Sequence, residues 1–212
     1  QQYLELMKLS GINEIFSLKK DFQTSNSETI EELKEKYKNC KKCPLSKERT
    51  NFVYGEGSFS PILMLIGEGP GGEEDKTGKP FVGKAGQLLT KMLKAINIER
   101  DEVYITNIVK CRPPQNRNPL PSEAEICIKY LYEQIEILKP RLILLLGKVA
   151  SVNLLKKNLK IDEFRNGVFF FGNARIFVTY HPSALLRNEN LKKYAWDDLK
   201  RLRKEYDKIL AE

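Results

Sequence analysis

The sequence lacks the features that mark a membrane or secreted protein. No apolar run approaches the length that a membrane span requires, and the first residues do not show the basic and then apolar order of a secretory signal. No internal repeat is present. We therefore expect a cytoplasmic protein, in which the four cysteines are reduced and structural disulfides do not form.

Histidine is also scarce, and basic residues outnumber acidic ones. The 212 residues include one histidine, His181, and the 36 Lys and Arg residues outnumber the 28 Asp and Glu residues, which gives a formal net charge of +8. This surplus favours a polyanionic partner such as nucleic acid, because bound cations release counterions from phosphates. A soluble surface rich in lysine and glutamate would give the same count, so charge alone does not decide between the two.

The order of the apolar segments predicts an α/β domain. Four strand-like runs, at 62–66, 103–109, 142–146 and 176–180, alternate with segments of helical periodicity. This alternation predicts a three-layer sandwich, with a central four-stranded parallel sheet flanked by helices. The predicted helices cover 30–38, 87–96, 123–138, 149–157 and 191–210.

Two of these helices are expected to begin at capping boxes. The pairs are Thr29 with Glu32 and Ser122 with Glu125. We assign residues 27–212 to one domain, and we treat residues 1–26 as an N-terminal extension to which no role is assigned.

A glycine-rich stretch, Gly67-Glu-Gly-Pro-Gly-Gly72, directly follows the first predicted strand. Glycine has no Cβ, so the backbone of this loop can approach a ligand closely. The second strand runs into Asn107 and its following residues, and the last is followed by His181. Open α/β sheets bind ligands beyond the carboxyl ends of their strands, so these residues predict one shared crevice.

The four cysteines form a second candidate site. Cys40 and Cys43 are separated by two residues, Cys111 follows the second predicted strand, and Cys127 lies in the first turns of the next helix. Four thiolates can hold a zinc ion or an iron–sulfur cluster, and the spacing does not choose between them. Four buried free thiols are the alternative. A metal here would join the loop at 112–121 and the N-terminal helix to the sheet.

Three segments carry a resemblance to a known family. They are GEGPGGEEDKTGKPFVGKAGQLL at 67–89, TNIVKCRPPQNRNP at 106–119 and HPSALLR at 181–187. With these motifs in this order, the chain closely resembles the family 4 uracil-DNA glycosylases, the iron–sulfur branch of the uracil-DNA glycosylase superfamily. The resemblance implies a repair enzyme, expected to be a monomer. It would flip uracil out of single- or double-stranded DNA and hydrolyse the N-glycosidic bond, leaving an abasic site.

The resemblance also implies a [4Fe-4S] cluster with a structural role. Cys40, Cys43, Cys111 and Cys127 match the ligands of that cluster one by one. Zinc thereby becomes the less favoured metal.

By the same resemblance, three residues hold the flipped base. The Asn107 amide donates to O4 and accepts from N3–H of uracil, a pairing that the edge of cytosine reverses. Phe81 stacks on the base. Glu74 stands beside C5, where the methyl group of thymine would collide with it. Such a steric group is needed because an apolar pocket alone discriminates weakly over one methyl group.

His181 is expected to donate a hydrogen bond to O2 of the departing uracil, which lowers the barrier even when the ring is neutral. The backbone at 68–70 would line the sugar and the attacking water. Other branches of the superfamily place Asp or Asn where this chain has Gly69, so the water needs another partner. We predict that Glu68 fills this role, with Asn116 as a helper.

The HPSALLR segment resembles the family's intercalation loop. Leu185 is the predicted wedge for the space that the flipped base leaves, with Arg187 near the DNA backbone, and ordinary packing is the alternative for Leu185. Ser183, Lys84 and the amides near Gly86 suit phosphate groups.

Two alternatives differ from this enzyme. One branch of the superfamily traps uracil-containing DNA covalently through a histidine on an inserted basic loop, but Gln115-Asn-Arg-Asn118 contains no histidine. The other is a noncatalytic DNA-binding module. The presence of Asn107, Phe81, Glu74 and His181 argues against that module.

Overall fold

The computed structural model describes residues 28–212, so the N-terminal extension at 1–26 lies outside the described residues. Within them the strands are β1 (Glu56–Gly57), β2 (Leu63–Gly67), β3 (Tyr104–Asn107), β4 (Leu142–Leu146), β5 (Phe169–Phe171) and β6 (Ala174–Thr179). The helices are α1 (Ile30–Tyr37), α2 (Gly72–Thr77), α3 (Lys84–Lys94), α4 (Pro121–Leu138), α5 (Lys148–Leu155), α6 (Ile161–Asn166), α7 (Pro182–Arg187) and α8 (Lys192–Leu210). Over this range no helix has the length and apolar character needed to cross a membrane.

The strands form one sheet in the order β1-β3-β2-β4-β6-β5. The four inner strands pair in parallel, and the two outer strands pair antiparallel to their neighbours. The predicted four-stranded parallel sheet is therefore confirmed as the centre of a six-stranded sheet. The outer strands have two and three residues, too few to produce a periodic pattern in the sequence.

The two faces of the sheet carry separate apolar cores, because successive side chains of a strand point to opposite faces. In β2, Met64 and Ile66 pack with α1, α4, α5 and α6. Leu63 and Leu65 of the same strand pack with α3, α7 and α8. Helices thus cover both faces, which confirms the three-layer sandwich.

One of the two predicted capping boxes is present. The Glu32 amide donates to Thr29 Oγ1 at 3.3 Å, and the Thr29 amide donates to Glu32 Oε2 at 2.7 Å. The box predicted at Ser122 and Glu125 is wrong, because α4 begins at Pro121 and the carboxylate of Glu123 accepts from the Leu120 amide at 2.8 Å. Proline suits this first helical position, since its missing N–H has no intrahelical partner to lose.

Three helices of six residues, α2, α6 and α7, were not predicted. Six residues make fewer than two turns, so an apolar stripe cannot be recognised in them. Two of them frame the crevice at the carboxyl ends of the parallel strands: α2 follows the glycine-rich loop, and α7 follows His181.

The buried faces predict how the fold responds to truncation. Leu145 in β4 is fully buried, so Leu145→Ala should lower the free energy of unfolding by about 2–5 kcal/mol, because a cavity replaces the lost side chain. The matched control is Leu210→Ala, which removes the same atoms from a side chain that is 58% exposed and should change that energy by less than about 0.5 kcal/mol. Urea denaturation measures both, and equal losses would contradict this packing.

Candidate active site and cysteine site

A cavity of about 390 Å³ opens beyond the carboxyl ends of the central strands. It brings together nine residues that the sequence analysis selected: Glu68, Gly69, Glu74, Phe81, Asn107, Asn116, His181, Ser183 and Arg187. It is also lined by Pro70, Gly71, Ala85, Pro113, Arg117 and Asn118. The shared crevice predicted from the strand ends is therefore a single cavity, although its residues come from positions 68–187 of the chain.

Asn107 ends β3 at the base of this cavity. Asn107 is 1% exposed, and its Oδ1 is buried without a hydrogen-bond partner among the described residues. An unsatisfied buried polar atom costs about 1–3 kcal/mol. Such an atom on the wall of a cavity is suited to a ligand that donates a hydrogen bond.

Phe81 packs beside Asn107 and is 6% exposed. Its ring centroid lies 5.6 Å from that of His181, with 35° between the planes. Gly67 makes this packing feasible, because a Cβ at that position would lie 2.5 Å from both Phe81 Cζ and Asn107 Oδ1. The backbone of Phe81 has φ of 52°, a conformation that is uncommon for a residue with a bulky side chain.

Glu74 holds the loop that carries Phe81. Its Oε1 accepts from the amides of Val82 and Gly83 at 2.8 and 2.9 Å, and its Oε2 accepts from the Gly71 amide at 3.1 Å. The carboxylate therefore connects the start of α2 to the start of α3 while it lines the cavity. The resemblance predicts only a contact of Glu74 with the base, and no sequence pattern predicts these backbone contacts.

The hydrogen bonds of His181 determine its tautomer. The Ser183 amide, which can only donate, lies 3.2 Å from Nδ1, and Ser183 Oγ lies 2.8 Å from the same nitrogen. In the neutral ring, Nδ1 is therefore the acceptor, and Nε2 carries the proton. Burial, with a smaller contribution from the positive charge of Arg187, lowers the pKa of His181 to about 4. At neutral pH the cavity thus contains an uncharged imidazole that donates through Nε2.

Glu68 and Asn116 lie on opposite loops of the cavity. Burial raises the pKa of the Glu68 carboxyl above its ordinary value, which favours its taking up a proton. Asn116 Oδ1 accepts from Arg112 Nε at 2.8 Å. Gln115 and Asn116 both have positive φ, 52° and 56°, so the loop turns sharply at this point.

Arg117 and Asn118 of this same loop also line the cavity, and neither was among the predicted site residues. Arg117 makes two hydrogen bonds with the Glu123 carboxylate, at 2.8 and 2.9 Å, and Glu123 is 2% exposed. This pair fixes the loop to the first turn of α4. The only sequence signal was the polar RPPQNRNP segment itself, which does not show how the loop folds over the strand ends.

Two predicted DNA contacts do not line the cavity, Lys84 and Leu185. Lys84 is exposed at the first turn of α3. Leu185 is 2% exposed and belongs to the apolar core, whereas the following Leu186 is 48% exposed. This burial agrees with the packing alternative for Leu185, because in a helix neighbouring side chains point about 100° apart and α7 turns Leu185 toward the sheet. The role of Leu185 as the wedge stays a prediction.

The four cysteines lie together on the other face of the sheet. Cys111 and Cys127 belong to the core there, and Cys40 and Cys43 pack against it. Polar groups donate to three of the sulfurs: Arg49 Nη1 to Cys111 at 3.0 Å, the Lys110 amide to Cys127 at 3.2 Å, and Tyr130 Oη to Cys40 at 2.9 Å.

The electrostatics of these thiols indicate that they are close neighbours. Burial raises the pKa of Cys127 to about 12, the nearby Cys111 and Cys43 thiols act in the same direction, and Lys110 acts against it. Burial also raises the pKa values of Cys43 and Cys111 above the ordinary value, with an added contribution from Cys40. Such thiols bind as thiolates when a metal supplies the compensating positive charge. The thiol set and its N–H and O–H donors fit a thiolate-bound metal group.

In residues 28–212, no three His, Cys, Asp or Glu side chains have the spacing that a single metal ion requires.

Comparison with known proteins gives one consistent family. The model of the uracil DNA glycosylase superfamily matches residues 54–200. The type-4 uracil-DNA glycosylase of Thermotoga maritima is 44% identical over 181 residues, which cover 84% of this chain and 94% of that protein. The type-4 uracil-DNA glycosylase of Pyrobaculum aerophilum is 44% identical over 172 residues, 77% of this chain and 87% of that protein.

A type-5 uracil-DNA glycosylase of Pyrobaculum aerophilum is more distant. It is 34% identical over 146 residues, which cover 61% of this chain and 64% of that protein. The two type-4 relatives are more similar to this chain than the type-5 protein is, in identity and in the share of each chain that is covered. This difference agrees with the resemblance carried by the three sequence motifs. The chain belongs to the uracil-DNA glycosylase superfamily, and within it to the type-4 uracil-DNA glycosylases.

Proposed function

We propose that this protein excises uracil from DNA by hydrolysing its N-glycosidic bond, and that the cavity between Asn107 and His181 is the site of the reaction. The observation that carries the proposal is the unpaired buried Oδ1 of Asn107 in the same cavity as the Nε2–H of His181. One group is suited to the Watson–Crick edge of an extruded base, and the other to the charge that develops when the base leaves.

Substrate recognition begins with extrusion of the base, at a cost of a few kcal/mol. Phe81 offers its ring for stacking, worth about 1–3 kcal/mol per base. Asn107 accepts from N3–H and donates to O4, which matches uracil and opposes cytosine. Glu74 stands near C5 and holds the Phe81 loop through its three amide contacts, so both the steric exclusion of thymine and the stacking surface depend on it.

The chemistry then separates charge between sugar and base. The C1′–N1 bond breaks with its electron pair leaving on uracil, and His181 Nε2–H donates to O2 of the resulting anion. Water attacks C1′ and passes its proton to Glu68, whose raised pKa suits a general base. Gly69 leaves room for this water, and Asn116 lies on the facing loop as a second hydrogen-bonding group.

The pH dependence separates the two proposed catalytic residues. Glu68 accepts a proton only when it is ionised, so kcat should fall as the pH drops through the raised pKa of its carboxyl. The pKa of His181 is about 4, so this ring stays neutral across that transition. We expect Glu68→Gln to lower kcat about 100-fold or more and to remove the acid limb, whereas His181→Ala should lower kcat about 100- to 1,000-fold and retain that limb.

Uracil release from DNA, measured under single-turnover conditions from about pH 4.5 to about pH 8.5, distinguishes these results. An acid limb that persists in Glu68→Gln and disappears in His181→Ala would reverse the two assignments. Persistent binding of uracil-containing DNA without release of free uracil would instead favour the noncatalytic module.

DNA contacts are proposed on the α7 side of the cavity. Ser183 and Arg187 line the cavity mouth, and they and the exposed Lys84 are suited to phosphate oxygens. Leu186 is the alternative wedge, because it is the exposed leucine of the HPSALLR segment. Proteins that distort DNA often insert an apolar side chain of this kind between base steps.

The two leucines form a matched pair for mutation. Leu186→Ala should reduce excision from double-stranded DNA about tenfold and excision from single strands by less than about twofold, because only the duplex has a stack to hold open. Leu185→Ala should lower the free energy of unfolding by about 2–5 kcal/mol, because it empties a core position. Equal effects of Leu186→Ala on both substrates would contradict its role as a wedge.

We also propose that Cys40, Cys43, Cys111 and Cys127 hold a [4Fe-4S] cluster. The four cysteines and the N–H and O–H groups that donate to three of their sulfurs make up a donor set that suits such a cluster. When bound, the cluster would supply cross-links and no reaction chemistry. It would join the segment after α1, the segment after β3 and α4. Zinc stays the less favoured alternative.

Metal analysis tests this site. The protein prepared without oxygen should contain about four iron and four acid-labile sulfide atoms per chain, and Cys127→Ser should lose most of the iron and unfold at a lower temperature. About one zinc atom per chain and no sulfide would support the zinc alternative. Absence of both metals, with an unchanged melting temperature in Cys127→Ser, would favour four free thiols.

The proposal extends to the molecular setting. The partner is uracil-containing DNA, single- or double-stranded, and a monomer suffices because every proposed site residue comes from one chain. An enzyme with this substrate must reach the genome, which agrees with the expected location in the cytoplasm.

A further inference from the structure

Lys110 is a fully buried lysine, and the mechanism above gives it no role. Its residue is 0% exposed. Its Nζ donates to Thr106 Oγ1 at 2.6 Å, to the Asn107 carbonyl oxygen at 2.8 Å and to Gln134 Oε1 at 2.7 Å. Burial lowers the pKa of Lys110 to about 7. In its protonated form the amine has three N–H donors, and these three acceptors use all of them. Burying such a group is costly unless its hydrogen bonds are made, and here every one is made to a neutral oxygen.

The partners of Lys110 are themselves fixed. Thr106 Oγ1 donates to the Tyr54 carbonyl at 2.9 Å, and Gln134 Nε2 donates to the same carbonyl at 2.8 Å. Gln134 belongs to α4, the helix that carries Cys127. The ammonium group therefore sits in a rigid frame built from β3, α4 and the segment before β1.

The main chain of Lys110 makes a second connection. Its amide donates to Cys127 Sγ at 3.2 Å, while its side chain reaches back to the carbonyl oxygen of Asn107. One residue thus contacts the cysteine site through its backbone and the end of β3 through its side chain.

The contact of Lys110 with the Asn107 backbone matters because the Asn107 side-chain oxygen has no hydrogen-bond partner of its own among the described residues. With no protein partner for Oδ1 in the described part of the chain, no hydrogen bond to that oxygen fixes the amide before a ligand enters. The direction of the amide then depends on the backbone from which it projects. Lys110 fixes the carbonyl of that same backbone unit.

We propose that Lys110 is a positioning residue that orients Asn107 for the uracil edge. The inference rests on the proposed role of Asn107 as the group that binds this edge. Lys110 does not touch the base or the reacting atoms. It acts by holding the Asn107 peptide group against rotation, and a displacement of about 1 Å at such a site can cost about 100-fold in rate.

The test compares binding to two DNAs. One carries a 2′-fluoro-2′-deoxyuridine, which resists cleavage and presents the uracil edge, and the other carries a tetrahydrofuran abasic analogue, which has no base. Lys110→Met should weaken binding to the uracil DNA tenfold or more in fluorescence anisotropy, and change binding to the abasic DNA by less than about twofold. The rate constant for uracil release by Lys110→Met under single-turnover conditions should fall about 10- to 100-fold.

Thr106→Val provides a milder variant in case Lys110→Met does not fold. It removes one of the two other acceptors that hold the ammonium group in place. The bond to Asn107 remains but is less firmly held, so we expect the same selective loss at a smaller size. The control is Asp198→Asn, which alters a different buried polar network, where Asp198 accepts from Arg165 Nε at 2.7 Å and Thr179 Oγ1 at 2.9 Å. This variant should lose stability without any selective loss of uracil binding.

Asn107→Ala separates failure of the inference from failure of the proposed function. If Asn107→Ala loses uracil-selective binding and Lys110→Met does not, the role of Lys110 is overturned while that of Asn107 stands. If Asn107→Ala binds both DNAs as the unmodified protein does, the premise itself is overturned. An equal loss on both DNAs in Lys110→Met, or a selective loss in Asp198→Asn, would show that Lys110 is purely structural and would also overturn the proposal.

Discussion

The site depends on backbone pairing that continues past the ends of β2 and β3. The Ile108 amide donates to the Gly67 carbonyl at 2.9 Å, and the Val109 amide donates to the Glu68 carbonyl at 3.1 Å. These bonds extend the parallel register beyond the strands, so that the glycine-rich loop and the segment after Asn107 leave the sheet side by side. Without this register, Glu68 and Asn107 would not share a cavity.

Close backbone approach is the second constraint on the site. A Cβ at Gly67 would occupy the space of Phe81 and Asn107, and a Cβ at Gly147 would lie 2.9 Å from His181 Cβ. Gly147 also has φ of 88°, which favours glycine. The aromatic ring, the amide and the imidazole can therefore meet, because β2 ends in a glycine and β4 is followed directly by one.

Much of the fold could be predicted from the sequence, because it is written in local patterns. The runs that became β2, β3, β4 and β6 are apolar and of strand length, and the long helices have clear periodicity. The outer strands and the short helices could not be predicted, because two or three residues show at most one alternation of a strand and six residues make fewer than two helical turns. The sequence predicts the start of α4 two residues too late, because Ser122 and Glu125 match the capping-box pattern. In the structure the helix begins at Pro121, and the Glu123 carboxylate accepts from the Leu120 amide.

The candidate site divides in the same way. Nine of its residues could be selected, because they follow strand ends or stand in the three motifs. The wedge could not be assigned, since Leu185 and Leu186 are chemically identical and only the direction of α7 decides which one is buried. The backbone contacts of Glu74 and the loop pair of Arg117 and Glu123 were equally invisible, because they join segments whose relative placement is a property of the folded chain.

By itself, the sequence determined the α/β class, the cavity edge, the cysteine set and the family, because each depends on residue type and order along the chain. Only the tertiary structure decided that His181 is neutral and donates through Nε2, that Asn107 Oδ1 is unpaired, and that Lys110 is buried against the Asn107 backbone. The physical reason is that protonation, tautomer and hydrogen-bond satisfaction depend on which groups exclude water from one another. That exclusion exists only after distant parts of the chain have packed.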